Sequence, residues 1–561
     1  MIRVATAQFE TGKDKDRVLN DILSLIDEAA AGGARLVHFQ ECCNYPTSYA
    51  DREQAWEEAI TVPGPMFDAI AERARRHGIF VGFNAAVRGE FPTAYMVNHL
   101  IGPDGRHIGS NKKQVLMWIE RDYFEPSDEE NRVFDTEIGR IGLLSCMDGL
   151  VPETTRTLAC RGADIVLNSL CSNGIDEAHL HIPARAAENG IFMISANRIG
   201  DMVKGQDLQD LIEAAGMSRE AVMGAGESQI VGPDGEPLAR ASRDGFGLVF
   251  ADIDLAAVER DERLSRRRPE CYGLVAEPGE TLAALVAGRP EAGSVAISCL
   301  VPEGSTFEAV LASACQRIRA CEPGLAVLPE LFAWRPEDLP DRSTLQAQVD
   351  QCIRALSVAA AEAGTHVVAG IVEMAEEGLA NRAVLIGPEG VIGTYRQVHR
   401  DPGLGWDRLG DDFTVFDLPF GRLAMLLGED LMFPEAARVL ARKGVDLIAC
   451  PARWRTSWQA ALMLRERSAE NHITIAASAR ADSPVPQPSI IVTTPPEYRF
   501  PATLEVNNPD RFMASALGES LCVTVDLAPN RDKRLMGATD LIMDARPELY
   551  GVLVDPSTED A

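Results

Sequence analysis

The chain has 561 residues, with 54 lysines and arginines against 84 aspartates and glutamates, so its formal net charge is −30. Hydrophobic residues make up 46% and charged residues 25%, the balance of a folded globular protein, and the length predicts two or more domains. A polyanion of this kind repels nucleic acid and anionic lipid, so we expect neither as a partner.

The sequence has no uncharged apolar run near the ~18 residues of a membrane-spanning helix, and its first residues resemble a strand rather than a secretory signal. The twelve cysteines are scattered without a C-x-x-C pair, which favours free thiols in a reducing compartment. We therefore expect a cytoplasmic protein. His179 and His181 form an H-x-H without a third ligand nearby, and we predict no metal and no cofactor.

Strands and helices alternate along the first 200 residues. The helix predicted over 14–31 carries Val18, Ile22 and Leu25 on one apolar stripe and stops at two glycines. This alternation predicts an α/β fold with sheets covered by helices on one face. The stretch 206–222 has a helical pattern without a later counterpart, and we interpret it as an inserted lid or interface element. The other predicted elements are strand 2–9, strand 36–39, helix 66–77, strand 79–84, strand 140–145, helix 152–161, strand 164–167, helix 177–189 and strand 191–197.

The second half of the chain repeats the first. Arg268-Pro-Glu-Cys-Tyr-Gly273 returns as Arg546-Pro-Glu-Leu-Tyr-Gly551, an offset of 546 − 268 = 278. Pro152-Glu153 returns as Pro434-Glu435, an offset of 434 − 152 = 282. A near-constant offset over several short matches indicates tandem duplication of whole domains. We predict domains at 1–280 and 293–561, joined by a linker over 277–293 that is rich in glycine and proline.

Four polar residues follow predicted strands or lie in the loops between them. Glu41 comes directly after the apolar strand 36–39, and Cys146 comes directly after strand 140–145. Lys113 lies in Gly109-Ser-Asn-Lys-Lys, and Glu120 begins Glu120-Arg-Asp-Tyr-Phe-Glu-Pro. Lys112 and Glu125 are the competing lysine and glutamate. We expect one thiol, one amine and two carboxylates to meet at the carboxyl edge of the sheets.

This set of motifs resembles the nitrilase superfamily of carbon–nitrogen hydrolases, and the resemblance covers both repeats. In that family a glutamate follows an early strand, a lysine lies in G-x-x-[RK]-K, and a cysteine lies in C-x-D/E followed by P-E. The resemblance implies an αββα sandwich in each repeat, with the two repeats packed as a pseudo-dimer within one chain. It also identifies Glu120 as the fourth member of the catalytic set.

The chemistry of the residues gives each one a role. Cys146 would be the nucleophile and Glu41 the general base that moves its proton. Lys113 would stabilise the oxyanion, with Met147 and Asp148 as further oxyanion or substrate-binding candidates. We also expect the start of the helix after Cys146 to favour a thiolate.

The second repeat lacks most of this set. Glu330 is retained, but Gln397 replaces the lysine and Gly428 replaces the cysteine, and no glutamate lies between those two positions. We therefore predict a degenerate second domain without the nucleophile. Its role is either a packing surface for the first domain or a site for a regulatory ligand.

The residues around Cys146 narrow the range of substrates that the family resemblance allows. Nitrile-cleaving members resemble a C-W-E pattern, whereas this chain has Cys146-Met-Asp-Gly149, which resembles aliphatic amidases. We predict a hydrolase that acts on a linear amide or N-carbamoyl group of a small molecule and releases ammonia. The alternatives are nitrile hydrolysis, acyl transfer and a non-catalytic binding protein. We also expect the pseudo-dimeric chain to form homo-oligomers.

Overall fold

A computed structural model describes residues 1–202, 209, 219, 223–375, 378–493, 513–535 and 539–556. Apart from positions 209 and 219, the inserted element predicted over 206–222 lies outside the described residues. Across the described helices, none combines the length and the hydropathy of a bilayer-spanning segment.

Two six-stranded sheets form the first half. One has the strand order β12-β1-β2-β3-β4-β5, and the other has the order β11-β10-β9-β8-β7-β6. The three central strands of each sheet, β1-β2-β3 and β7-β8-β9, run parallel to one another. The strands are β1 Ile2–Gln8, β2 Leu36–His38, β3 Phe80–Arg88, β4 Ala94–Ile101, β5 His107–Lys112, β6 Val133–Thr136, β7 Gly139–Ser145, β8 Ile165–Ser169, β9 Phe192–Ala196, β10 Gln229–Val231, β11 Pro237–Arg240 and β12 Gly247–Ile253.

The helices of the first half confirm the predicted alternation. Helix α1 begins one residue later than expected because Asp14 is its N-cap and accepts a 3.0 Å hydrogen bond from the Arg17 amide. The helix predicted over 177–189 starts with a π-helical turn, Glu177–His181, before regular α-helix resumes. The helices are α1 Lys15–Ala31, α2 Arg52–Glu58, α3 Pro65–His77, α4 Glu120–Tyr123, α5 Met147–Leu150, α6 Pro152–Cys160, α7 Ile182–Asn189, α8 Arg260–Leu264 and α9 Gly279–Val286.

Side chains alternate between two cores because successive strand residues point to opposite faces of a sheet. Val4, Leu36 and Phe80 face the second sheet, where Ile141 and Leu167 belong to the same buried cluster. Their strand neighbours instead pack under α1 and α3, and a third cluster joins β7 to β9 with α6 and α7. The first half is therefore an αββα sandwich, as predicted.

The second half repeats this architecture in sheets ordered β17-β16-β15-β14-β13-β24 and β18-β19-β20-β21-β22-β23, with a small hairpin β25-β26. Its strands are β13 Ser294–Cys299, β14 Gly324–Val327, β15 His366–Ala375, β16 Gly378–Gly387, β17 Gly390–Arg396, β18 Val415–Leu418, β19 Gly421–Met425, β20 Leu447–Ala452, β21 Thr474–Ala479, β22 Ser489–Val492, β23 Met513–Ala516, β24 Leu521–Asp526, β25 Arg534–Leu535 and β26 Thr539–Asp540. Its helices are α10 Phe307–Arg319, α11 Arg342–Ala363, α12 Pro434–Arg442, α13 Leu464–Asn471 and α14 Gly551–Val554.

The two halves pack through buried ion pairs that obey a pseudo-twofold relation. Arg185 lies 2.7 Å from Glu470, and its counterpart Arg467 pairs with Glu188. The offsets 467 − 185 and 470 − 188 both equal 282. All four side chains are fully buried, and we refer to them as the interface cluster. Such reciprocal pairing is the signature of a twofold dimer contact, here formed within one chain.

A second set of pairs repeats the relation on α6 and α12. Arg438 lies 2.8 Å from Glu153, and Arg156 lies 3.3 Å from Glu435. One contact breaks the symmetry: His181 Nδ1 lies 2.9 Å from Glu466 Oε2, although the residue 282 positions after His181 is Met463. The predicted pseudo-dimer is confirmed, and its two sides are not identical.

Candidate active site

The candidate residues lie where strands of both sheets end. Lys113 follows β5, Glu41 lies three residues beyond the end of β2, and Cys146 follows β7 of the other sheet. Glu120 opens the single helical turn α4. The carboxyl ends of β2 and β7 therefore bring the carboxylate and the thiol together, as the sequence predicts.

Lys113 is the centre of the arrangement. Its Nζ donates a 2.9 Å hydrogen bond to Glu41 Oε1 and 2.8 Å hydrogen bonds to both carboxylate oxygens of Glu120. The side chains of Lys113 and Glu41 are fully buried, and that of Glu120 is 14% exposed. Burial acts to lower the pKa of Lys113, but Glu120 and Glu41 outweigh it and hold the pKa well above its usual range. The site thus holds a permanent cation.

The alternative lysine and glutamate have other partners. Lys112 lies near the surface and donates a 2.8 Å hydrogen bond to Glu129. Glu125 is 43% exposed and pairs with Arg52. Among the candidates, the structure brings Glu41, Lys113 and Glu120 together.

Cys146 occupies a strained position at the turn between β7 and α5. Its φ is +49°, a left-handed conformation that residues with a side chain rarely adopt, and its amide donates a 2.9 Å hydrogen bond to the Ser169 carbonyl. Such strain costs on the order of 1–3 kcal/mol and persists only where the surroundings enforce it. The cysteine is buried, with 8% of its surface exposed.

The surroundings of Cys146 favour the protonated thiol, so the thiolate-favouring effect expected from the start of helix α5 is outweighed. Burial and then the Glu41 carboxylate raise the pKa of Cys146 well above its usual range, against the opposing effect of Lys113. Helix α5 has only four residues and cannot overcome these effects. Deprotonation therefore requires a base.

Glu41 has the properties of that base. Burial raises its pKa to about 7, and the shift is limited by Lys113. A general base works best when its pKa lies near the operating pH, because it is then both available and strong enough.

Asp148 supports the loop that carries Lys113, whereas Met147 lies in the hydrophobic core. The Asp148 carboxylate accepts hydrogen bonds of 3.1 Å from the Gln114 amide and 2.9 Å from the Val115 amide. The Met147 side chain is buried in the core cluster that extends across both halves. The Asp148 oxygens thus bind backbone amides of the lysine loop.

The sequence did not single out Glu177. This residue is 5% exposed, and its charge is among those that raise the pKa of the Cys146 thiol. Burial raises the pKa of Glu177 to about 8, against the opposing effect of His181. Glu177 lies in the π-helical turn, and its position within a predicted helix gave no signal that it acts on Cys146.

The second half keeps the scaffold of this site with a neutral centre. Asn381 Nδ2 donates hydrogen bonds of 2.8 Å to Glu330 Oε1 and 3.1 Å to Gln397 Oε1. Burial raises the pKa of Glu330 to about 8. A Cβ atom built on Gly428 would lie 3.3 Å from the Arg453 amide nitrogen and 3.4 Å from Glu330 Oε2, so the position of the missing side chain faces the retained glutamate.

The sequence model of the carbon-nitrogen hydrolase family matches residues 3–263 and 304–494. The chain therefore belongs to this family, within the nitrilase superfamily, and the double match confirms the tandem duplication. It is a hydrolase of that superfamily.

Individual relatives match about half of the chain. The nitrilase of Pyrococcus abyssi is 29% identical over 267 residues, which cover 47% of this chain and 94% of the relative. The nitrilase of Paraburkholderia phymatum is 27% identical over 310 residues, 52% of this chain and 88% of the relative. Among solved structures, the NitN amidase of Nesterenkonia sp. AN1 has a TM-score of 0.40 and 25% identity, and covers 48% of this chain and 98% of that chain.

Proposed function

We propose that the first domain, residues 1–280, hydrolyses a linear amide or N-carbamoyl group of a small molecule through a thioester on Cys146. The observation that carries this proposal is the buried Lys113 ammonium held between the Glu41 and Glu120 carboxylates beside a strained cysteine. An ammonium and a basic carboxylate beside a thiol supply the oxyanion partner and the base that acyl transfer requires.

The reaction has two stages. Glu41 takes the Cys146 proton while sulfur attacks the carbonyl carbon, and Lys113 stabilises the resulting oxyanion. Collapse of this intermediate breaks the C–N bond, and Glu41 returns the proton to the nitrogen, which leaves as ammonia. Glu41 then takes a proton from water, whose oxygen attacks the thioester, and returns this proton to the sulfur as the C–S bond breaks. The product is the carboxylic acid or, from an N-carbamoyl group, a carbamic acid that loses CO2. Asp148 holds the lysine loop in position, and Glu120 orients Lys113.

The second domain, residues 293–561, is proposed to be non-catalytic. A neutral Gln397 cannot replace a cation beside an oxyanion, and Gly428 has no nucleophile. The interface cluster supports a packing role for this domain, because its four charges are desolvated only when the halves are together.

Nitrile hydrolysis is the second candidate, and the curated relatives named nitrilases favour it. The same thiol would add to a nitrile carbon and form a thioimidate, which two water molecules convert to acid and ammonia. The residue after the nucleophile, Met147, differs from the tryptophan of the nitrile-cleaving pattern, and this difference supports the amide assignment.

An ammonia-release screen over small amides, ureido acids and nitriles tests the proposal. We expect release from an amide or ureido compound, a Cys146 acyl adduct in intact-mass spectra, and no turnover in Cys146→Ala. Cys522→Ala, at an exposed position in β24, is the matched control and should retain activity. Turnover that survives Cys146→Ala would exclude the thioester, and turnover of nitriles alone would favour the second candidate.

A further inference from the structure

The turn that presents Glu120 is held from two sides. Within the first half, Glu120 Oε2 accepts a 2.7 Å hydrogen bond from the Met117 amide. From the second half, the Thr539 hydroxyl accepts a 2.7 Å hydrogen bond from the Trp118 amide. Asp544 pairs with Arg121, the residue after Glu120. The second domain thus contacts both flanks of the catalytic glutamate.

Trp118 needs this support because its backbone is strained. Its φ is +40°, a conformation that a bulky side chain rarely adopts and that persists only when the surroundings enforce it. Thr539 is fully buried, so its hydroxyl is shielded from competing water. The hairpin is itself fixed, since Asp544 Oδ2 accepts a 2.6 Å hydrogen bond from the Asp540 amide.

The contact belongs to a reciprocal exchange between the halves. Residues near the end of the first half also pack on the loop of the second half that contains Gln397. Tyr272 Oη lies 2.6 Å from His399 Nε2, two residues after Gln397. Arg268 donates a 3.0 Å hydrogen bond to the Val398 carbonyl. Of these contacts, only the one on the first half involves a loop that carries a lysine and a glutamate of the proposed catalytic set, Lys113 and Glu120.

We propose that Thr539 and Asp544 are positioning residues of the first active site, which act from the second domain by fixing the turn 117–120 and with it the Glu120 carboxylate on Lys113. This inference rests on the proposed function. It gives the degenerate domain a defined part in catalysis: it completes a site on its neighbour without touching the substrate.

The charged groups around Lys113 allow the positioning role to be measured as a shift of the pH–rate profile, which a loss of stability would not produce. Lys113 faces Glu120, Glu41 and Cys146, and Glu41 faces Lys113, Glu120 and Asp148. Glu120 raises the pKa of both Lys113 and Glu41. If the turn loosens and Glu120 moves away, both pKa values fall. The acid limb of the pH–rate profile, which Glu41 sets, should then move to lower pH, whereas a smaller folded fraction scales all rates equally.

The test uses the full chain and the substrate with the fastest ammonia release in the screen. Thr539→Val removes the acceptor while keeping the side-chain shape, and Thr539→Ser keeps the hydroxyl. Asp544→Asn disrupts the ion pair independently, and Thr524→Val, at an exposed position in β24, is the matched control. Because a displacement of about 1 Å near the chemistry costs about 10²-fold, we expect Thr539→Val to lower kcat by about 10- to 100-fold with less than about a threefold change in KM.

Thr539→Ser should recover kcat to within about threefold of the wild type, and Asp544→Asn should move the acid limb by a smaller amount. An unmoved acid limb in Thr539→Val, or an effect equal to that of Thr524→Val, would overturn the inference. If the wild type releases no ammonia, the proposed function fails separately. In that case the positioning role is tested by the pH dependence of the rate at which iodoacetamide alkylates Cys146. Identical pH profiles in wild type and Thr539→Val would refute the positioning role.

Discussion

The ionisation of Glu41 should control activity on the acid side of neutrality. Burial raises its pKa to about 7, and only the ionised carboxylate accepts the Cys146 proton. At about pH 6 such a base is about one-tenth ionised, whereas an ordinary glutamate, with a pKa of about 4.3, is almost fully ionised. The value of kcat/KM should therefore fall about tenfold between its plateau and about pH 6, because kcat/KM reports the groups of the free enzyme.

The assay is ammonia release at subsaturating substrate across a pH series. Glu41→Gln should lower the plateau by about 10²- to 10⁴-fold and abolish the acid limb, because no titrating base remains. Glu125→Gln removes a carboxylate just after helix α4 that pairs with Arg52 instead of Lys113, so the limb should stay in place. A plateau that continues below about pH 5, or a limb that moves in Glu125→Gln, would refute the assignment of Glu41 as a buried base.

Three further changes test the remaining parts of the structure. Lys113→Gln, which copies the second repeat, should lower kcat by about 10²- to 10³-fold, whereas Lys112→Gln should leave it near wild type; equal losses would contradict the oxyanion role. Glu470→Leu leaves two buried guanidiniums of the interface cluster short of a partner, so urea denaturation should show a loss of about 3–5 kcal/mol in the free energy of unfolding, and a loss below about 1 kcal/mol would argue against tight packing of the halves. In a Cys146→Ala chain, Gly428→Cys should release no ammonia, because the neutral Gln397 stands in place of the lysine and leaves the oxyanion without that cation; renewed activity would show that the second site is still competent.

Local pattern was enough to predict the α/β alternation, and the family resemblance added the sandwich and the core of the site. Strand and helix periodicity predicted the strands that precede Glu41 and Cys146, and motif spacing favoured Lys113 over Lys112. These signals depend on residues close together in the chain. The repeat offset predicted the duplication, and the resemblance implied that the two repeats pack together.

Contacts over long sequence separations could not be predicted in this way. Thr539 lies 421 residues from Trp118, and nothing in its neighbourhood indicates that its hydroxyl meets a strained turn. The direction in which the pKa of Cys146 shifts also escaped prediction, because it depends on burial and on a nearby carboxylate rather than on residue type. The burial of Glu177 gave no signal in the sequence either.

The contact between His181 and Glu466 has a consequence for how such a protein can evolve. When two identical subunits associate about a twofold axis, every substitution appears on both sides of the contact, so a histidine on one side cannot face a glutamate on the other unless each subunit carries both. Fusion into a single polypeptide removes that restriction. Each side can then change alone, and one can keep the reaction while the other becomes a dedicated support that is present at a fixed ratio of one to one.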